Sequence, residues 1–97
     1  MANGQGTVTF DFGAGTGATR AVVTGITATG MTATSNIEIY IGGTDSTAEH
    51  NADEHRLIGS VGFGAYPTSK GIDTFDAEAI STLQLTGTVM CRFVWAD

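Results

Sequence analysis

Only one stretch of this 97-residue chain has helical character: Asp45-Ser46-Thr47-Ala48-Glu49-His50-Asn51-Ala52-Asp53-Glu54-His55. Elsewhere apolar residues recur at every second position in short Thr- and Gly-rich runs, the period of a half-buried strand. A parallel α/β arrangement needs a crossover of about a dozen residues, usually a helix, between successive strands. One candidate helix cannot supply several crossovers, so the strands of this chain must pair antiparallel.

Val8, Phe10 and Phe12 share one face of a strand over Thr7–Phe12. Gly13 to Gly17 then reads as a turn, and Thr19 to Ile26 as a second strand. Two similar pentapeptides follow, Gly25-Ile26-Thr27-Ala28-Thr29 and Gly30-Met31-Thr32-Ala33-Thr34. Their odd spacing would put Ile26 and Met31 on opposite faces of a continuous strand, which a reversal near Thr29-Gly30 avoids. From Met31 to Ile41 the alternation is long, with Met31, Ala33, Ser35, Ile37, Ile39 and Ile41 on one face and Tyr40 on the other.

Ser46 and Glu49 form a capping-box pattern, in which each side chain satisfies a free backbone N–H of the first helical turn. The expectation is a short helix around residues 46–55. Leu57–Phe63 reads as a strand and Tyr66–Gly71 as a turn-rich loop. Ile72–Phe75 and Ser81–Leu85 are weaker strands, with Asp76–Ala79 a tight turn or half-turn of helix between them. In Thr88–Trp95, Val89, Cys91, Phe93 and Trp95 share one face. Met90 and Val94 flank Arg92 on the other, which fits a central strand or one whose outer face meets another subunit. These elements predict an all-β fold, a single antiparallel β-sandwich domain over residues 1–97, with the jelly roll among its forms. Phe10, Phe12, Ile37, Ile39, Ile41, Val61, Phe93 and Trp95 are expected to pack its interior.

Composition bears on partners. Charged residues are 14 % of the chain, so few charges need desolvating when the surface meets a neighbour. The net charge is −6, with Arg20, Arg56, Lys70 and Arg92 as the cations. Four scattered cations cannot neutralise a phosphate backbone or hold an anionic bilayer, so neither nucleic acid nor membrane is expected as a partner. The N-terminal residues lack a basic and apolar leader pattern, and no apolar run reaches spanning length. Cys91 is alone and cannot form an intrachain disulfide.

Candidate chemistry is sparse. His50 and His55 are five apart, which turns them away from one another on a helix, whereas H-E-x-x-H keeps its histidines four apart. No calcium-loop pattern surrounds Asp45, Glu49, Asp53 or Glu54. Ser46 or Ser60 with a histidine and Asp73 has no nucleophile elbow around it, and Cys91 falls on a core-facing position. The glycines from Gly13 to Gly17 precede a strand pattern and not the helix that phosphate binding requires. No catalytic residue, metal or cofactor is therefore expected. Tyr40, Tyr66 and Trp95 would supply an aromatic platform for a sugar if they met on one surface.

Three blocks resemble small structural proteins of tailed-bacteriophage virions. They are Gly6–Gly13; Ile37–Ile41 running into Asp45–His55; and Leu85-Thr86-Gly87 followed by Arg92-Phe93-Val94-Trp95-Ala96. Together they cover about a third of the sequence, in order and near both termini, while the segment from Gly64 to Thr82 departs from the pattern. The resemblance implies a virion component without catalytic residues, assembled in the host cytoplasm, whose partners are copies of itself and other virion proteins. A head-decoration, tail or fibre position fits equally. The alternative is a receptor- or carbohydrate-binding module on the virion surface. Tyr40, Met90, Arg92 and Val94 are the candidate interface residues.

Overall fold

A computed structural model describes residues 2–15, 17–41, 58 and 62–97. Six strands run β1 (Asn3–Asp11), β2 (Ala18–Thr27), β3 (Asn36–Ile41), β4 (Phe63–Lys70), β5 (Thr74–Leu85) and β6 (Thr88–Ala96). They form two three-stranded antiparallel sheets, in the orders β1-β6-β3 and β2-β5-β4. The fold is a small β-sandwich. Its winding is that of one long hairpin rolled up. β1 lies against β6 and β2 against β5, and the far end curls so that β3 joins β6 and β4 joins β5. This is jelly-roll winding with six described strands in place of eight. The expected helix around 46–55 lies outside the described residues, as do Val61 and most of Leu57–Phe63.

The core lies between the inward faces of the two central strands. Val89, Cys91, Phe93 and Trp95 of β6 are at most 5 % exposed, as are Phe75, Ala77 and Ala79 of β5. Phe75 meets Phe93 edge-on across the sandwich, ring centroids 5.0 Å apart, a geometry that contributes about 0.5–1.5 kcal/mol beyond area burial. Val8, Phe10 and Phe12 close one side. Ile37, Ile39 and Ile41 pack on the other while staying half-buried, and Ile58 also joins the core.

Three expectations are corrected. Residues Met31–Ser35 are not strand but a turn, closed by the Met31 N–H to the Ala28 carbonyl and the Ser35 N–H to the Thr32 carbonyl. Met31 and Ser35 are buried nonetheless, which is why the alternation ran on through them. The Ser35 hydroxyl accepts from the Thr32 N–H and donates to Asp97 Oδ1. Tyr66–Lys70 is not loop but most of β4, an edge strand, where Pro67 removes no ladder bond that the sheet requires. Asp76–Ala79 is not a turn but the middle of the twelve-residue β5. Its alanines face inward, while Asp76 Oδ1 accepts from the Gly25 N–H at the bulge of β2.

Strand β1 also starts earlier than the alternation suggested. Gly4 and Gly6 stand opposite Trp95 and Phe93, whose rings cover the space a side chain would take. The chain crosses from β5 to β6 through Thr86 and Gly87 alone, and Gly87 makes the corner at φ 71°. The Phe12 N–H donates to the Gly87 carbonyl there, and the Gly87 N–H to the Gly13 carbonyl.

The β4–β5 turn is fastened by Asp73, the only described non-glycine residue at positive φ, 64°. Its N–H donates to the Met31 carbonyl, its carbonyl accepts from the Ala28 N–H, and its Oδ1 accepts from the Gly30 N–H at 2.7 Å. One residue thus joins the β2–β3 connection to the β4–β5 hairpin.

Two substitutions test this account. A Cβ at Gly6 would lie 2.7 Å from Phe93 Cζ, so Gly6→Val should lower unfolding free energy in denaturant by about 1–3 kcal/mol. An unchanged midpoint would refute the ring-over-glycine packing. Asp73→Ala should lose about 1–3 kcal/mol through strain and an orphaned N–H. Asp73→Asn should lose clearly less, because Asn tolerates the left-handed region and keeps an acceptor. Equal losses would contradict the assigned role.

Candidate functional site

Strand alternation sends every second side chain of the β1-β6-β3 sheet outward, and antiparallel pairing sets these side chains in rows. Thr7, Arg92 and Tyr40 form one row and Gln5, Val94 and Glu38 the next. Met90 follows on the other side of Arg92, opposite Thr9. The structure therefore brings Tyr40, Met90, Arg92 and Val94 together on one face. Tyr40 is 48 % exposed and Val94 37 %, Arg92 is exposed and Met90 half-buried.

The face is a broad surface with shallow troughs between its strands. Gln5, Thr7, Tyr40 and Arg92 line one of them, and Asn36, Glu38, Val94 and Ala96 another. Among the described residues this relief is open, whereas a small molecule ordinarily loses most of its surface to its pocket. It can meet a broad partner.

The β2-β5-β4 sheet carries a cluster on its outer face that strand alternation alone did not reveal. Arg20 on β2, Glu78 on β5 and Tyr66 on β4 join across all three strands. Nε and Nη2 of Arg20 both reach Glu78 Oε2, and the Tyr66 hydroxyl donates to Glu78 Oε1 at 2.7 Å. Glu78 is buried beneath its partners although it points away from the core. The Tyr66 hydroxyl, then the Arg20 guanidinium, hold its carboxyl below the usual carboxylate range, against the opposing effect of burial. The same hydrogen bond pushes the Tyr66 phenol up, with burial adding to it. Both carboxylate oxygens are engaged, so the cluster is a clasp across the sheet. The sequence signal for it is an outward Glu between two alanines, which shows only when Asp76–Ala79 is strand and not turn.

The other candidates resolve simply. Tyr40 and Tyr66 lie on opposite outer faces and Trp95 is buried, so the three aromatics form no common platform. Asp73 serves the backbone as described above. Cys91 is fully buried. The Gly13–Gly17 segment leads into β2, not a helix. His50, His55, Ser46, Ser60, Asp45, Glu49, Asp53 and Glu54 lie outside the described residues. Among the described residues no three His, Cys, Asp or Glu side chains gather as metal ligands, and no helix is long and apolar enough to cross a membrane.

Comparison with family models, curated proteins and solved structures returns no match.

The clasp has a pH signature. A carboxyl held below its unfolded-state pKa adds stability that is present above that pKa and is lost as pH falls through the folded value. Tyr66→Phe removes the largest cause of the shift. The Glu78 carboxyl, followed by carbon NMR, should then titrate at a higher pH than in the parent protein, and the parent's stability advantage should shrink on acidification through that range. Identical Glu78 midpoints in the two proteins would refute the clasp.

Proposed function

We propose that this protein is a structural component of a tailed-bacteriophage virion, acting by self-association and by docking on its neighbours without catalysing a reaction. The reading is carried by one observation. Tyr40, Met90, Arg92 and Val94 form a contiguous outer patch on a sheet whose inner face already fills the core. Aromatic residues, methionine and arginine are the types enriched where proteins meet. The low charge content of the chain favours burial of such a patch. The shallow relief supports a broad partner over a small substrate. The virion setting, with copies of this chain and other virion proteins as partners, is supported by the resemblance of the three sequence blocks, which place Ile37–Ile41 and Arg92–Ala96 in β3 and β6 of this same sheet.

Purified particles provide the test. The chain should be present in them at a fixed copy number, and a reconstruction should show neighbours covering the outer face of β6. Val94→Lys should fold with stability within about 0.5 kcal/mol of the parent, as exposed positions do, yet incorporate poorly. A stable monomer absent from particles, or a Val94→Lys protein that incorporates normally, would count against the proposal.

A further inference from the structure

Among the described strands each sheet has two edges, and three of these four are guarded. β2 carries an extra residue between Val23 and Ile26, a bulge that bends its edge. β4 carries Pro67, a register shift after it, and Lys70 at its end. β3 is six residues long, with Glu38 in its middle. Bulges, proline, charge and short length are the standard means by which a sheet edge is kept from pairing. β1 has none of them. Its nine residues pair with β6 in unbroken register, and its one charged residue, Asp11, stands at its end.

The hydrogen-bond phase of that edge follows from its two ends. The Asp97 N–H donates to the Ala2 carbonyl, and the Phe12 N–H to the Gly87 carbonyl. Even-numbered residues of β1 therefore bond to β6, and by antiparallel alternation Asn3, Gln5, Thr7, Thr9 and Asp11 aim both backbone groups away from the sheet. No described residue pairs with them along that edge.

The geometry points to a second copy of this chain as the occupant, its β1 antiparallel to this β1 across a twofold axis through Thr7. The inference rests on the assembly reading above and names the edge through which copies join. With Thr7 on the axis, Thr7 faces its own counterpart, Gln5 faces Thr9, and Asn3 faces Asp11. These are the residues with free backbone groups, so every outward N–H and C=O between Asn3 and Asp11 finds a partner, on the order of ten hydrogen bonds. The side chains match as well. A Thr–Thr pair is favourable across strands, and each Asp11 carboxylate meets an amide-bearing Asn3 and not another carboxylate. The two three-stranded sheets become one sheet of six, and the Tyr40–Arg92–Val94 patch repeats on the same side of it. The net charge of −6 on each copy opposes this at long range, but physiological salt screens such repulsion beyond about 8 Å.

Sedimentation equilibrium of the whole chain at physiological ionic strength tests the pairing, with Thr7→Lys and Thr7→Glu as variants. Thr7 is exposed, so both should keep the parent's circular dichroism. The parent should dimerise with rising concentration. Each variant alone sets like charges against one another on the axis and should weaken dimerisation about tenfold or more. An equal mixture should recover it as a heterodimer, because the lysine then faces the glutamate. Association of the parent that neither variant weakens, or weakening that mixing does not repair, overturns the β1 pairing and leaves the assembly reading in place. A parent that stays monomeric in solution overturns the pairing, and the presence or absence of the chain in particles then decides the assembly reading separately.

Discussion

The edge of one phenylalanine ring against the face of another, Phe75 on Phe93, marks where the two halves of this molecule meet. Among the described residues each half is a sheet three strands wide. A sheet of that width has one central strand, and here the central strands, β5 and β6, face one another and hold most of the fully buried side chains. The remaining described strands are all edges. A domain of this size buries a smaller share of its surface than a larger one does. The fold must therefore keep its few large side chains in register, and that explains why residues far from the core matter. Asp73 and the Gly87 corner hold the loops that set how one sheet sits on the other.

The two outer faces have been treated differently by the sequence. On the β2-β5-β4 sheet, Glu78 is gripped by Arg20 and Tyr66, which satisfies its charge within the molecule. On the β1-β6-β3 sheet, Tyr40, Met90, Arg92 and Val94 are laid out on a broad outer surface. Both faces present an aromatic ring, aliphatic side chains and a guanidinium, with Tyr66, Val22, Ile80 and Arg20 exposed on one and Tyr40, Val94 and Arg92 on the other. What sets the first face apart is that Glu78 ties its guanidinium and phenol to one another across three strands.

Much of this architecture was legible because bulky side chains alternate where it counts. Val8, Phe10 and Phe12, and then Val89, Cys91, Phe93 and Trp95, announce their strands and their inward faces. The outward positions of Met90, Arg92 and Val94 follow from the same parity, so the candidate face could be named residue by residue. What could not be read was set by tertiary partners. Asp76-Ala77-Glu78-Ala79 contains no strong strand former, and it is strand because its acids find Gly25, Arg20 and Tyr66 on neighbouring strands. Gly4 and Gly6 have no side chains with which to show a period, and the rings that cover them belong to β6. Pro67 argued for a loop, and only the position of β4 at an edge removes the objection. That β1 is an edge among the described strands is a property of sheet order, which no local pattern specifies.

The central claim is that two continuous central strands, β5 and β6, carry the fold and leave the other described strands as edges. Native-state hydrogen exchange across Thr74–Leu85 tests it most directly. The account predicts that the amides through Asp76, Ala77, Glu78 and Ala79 exchange as slowly as those of Val89 to Phe93, with no gap in protection. Fast exchange confined to Asp76–Ala79 would mean that β5 is two strands joined by a turn, and the sandwich described here would not stand.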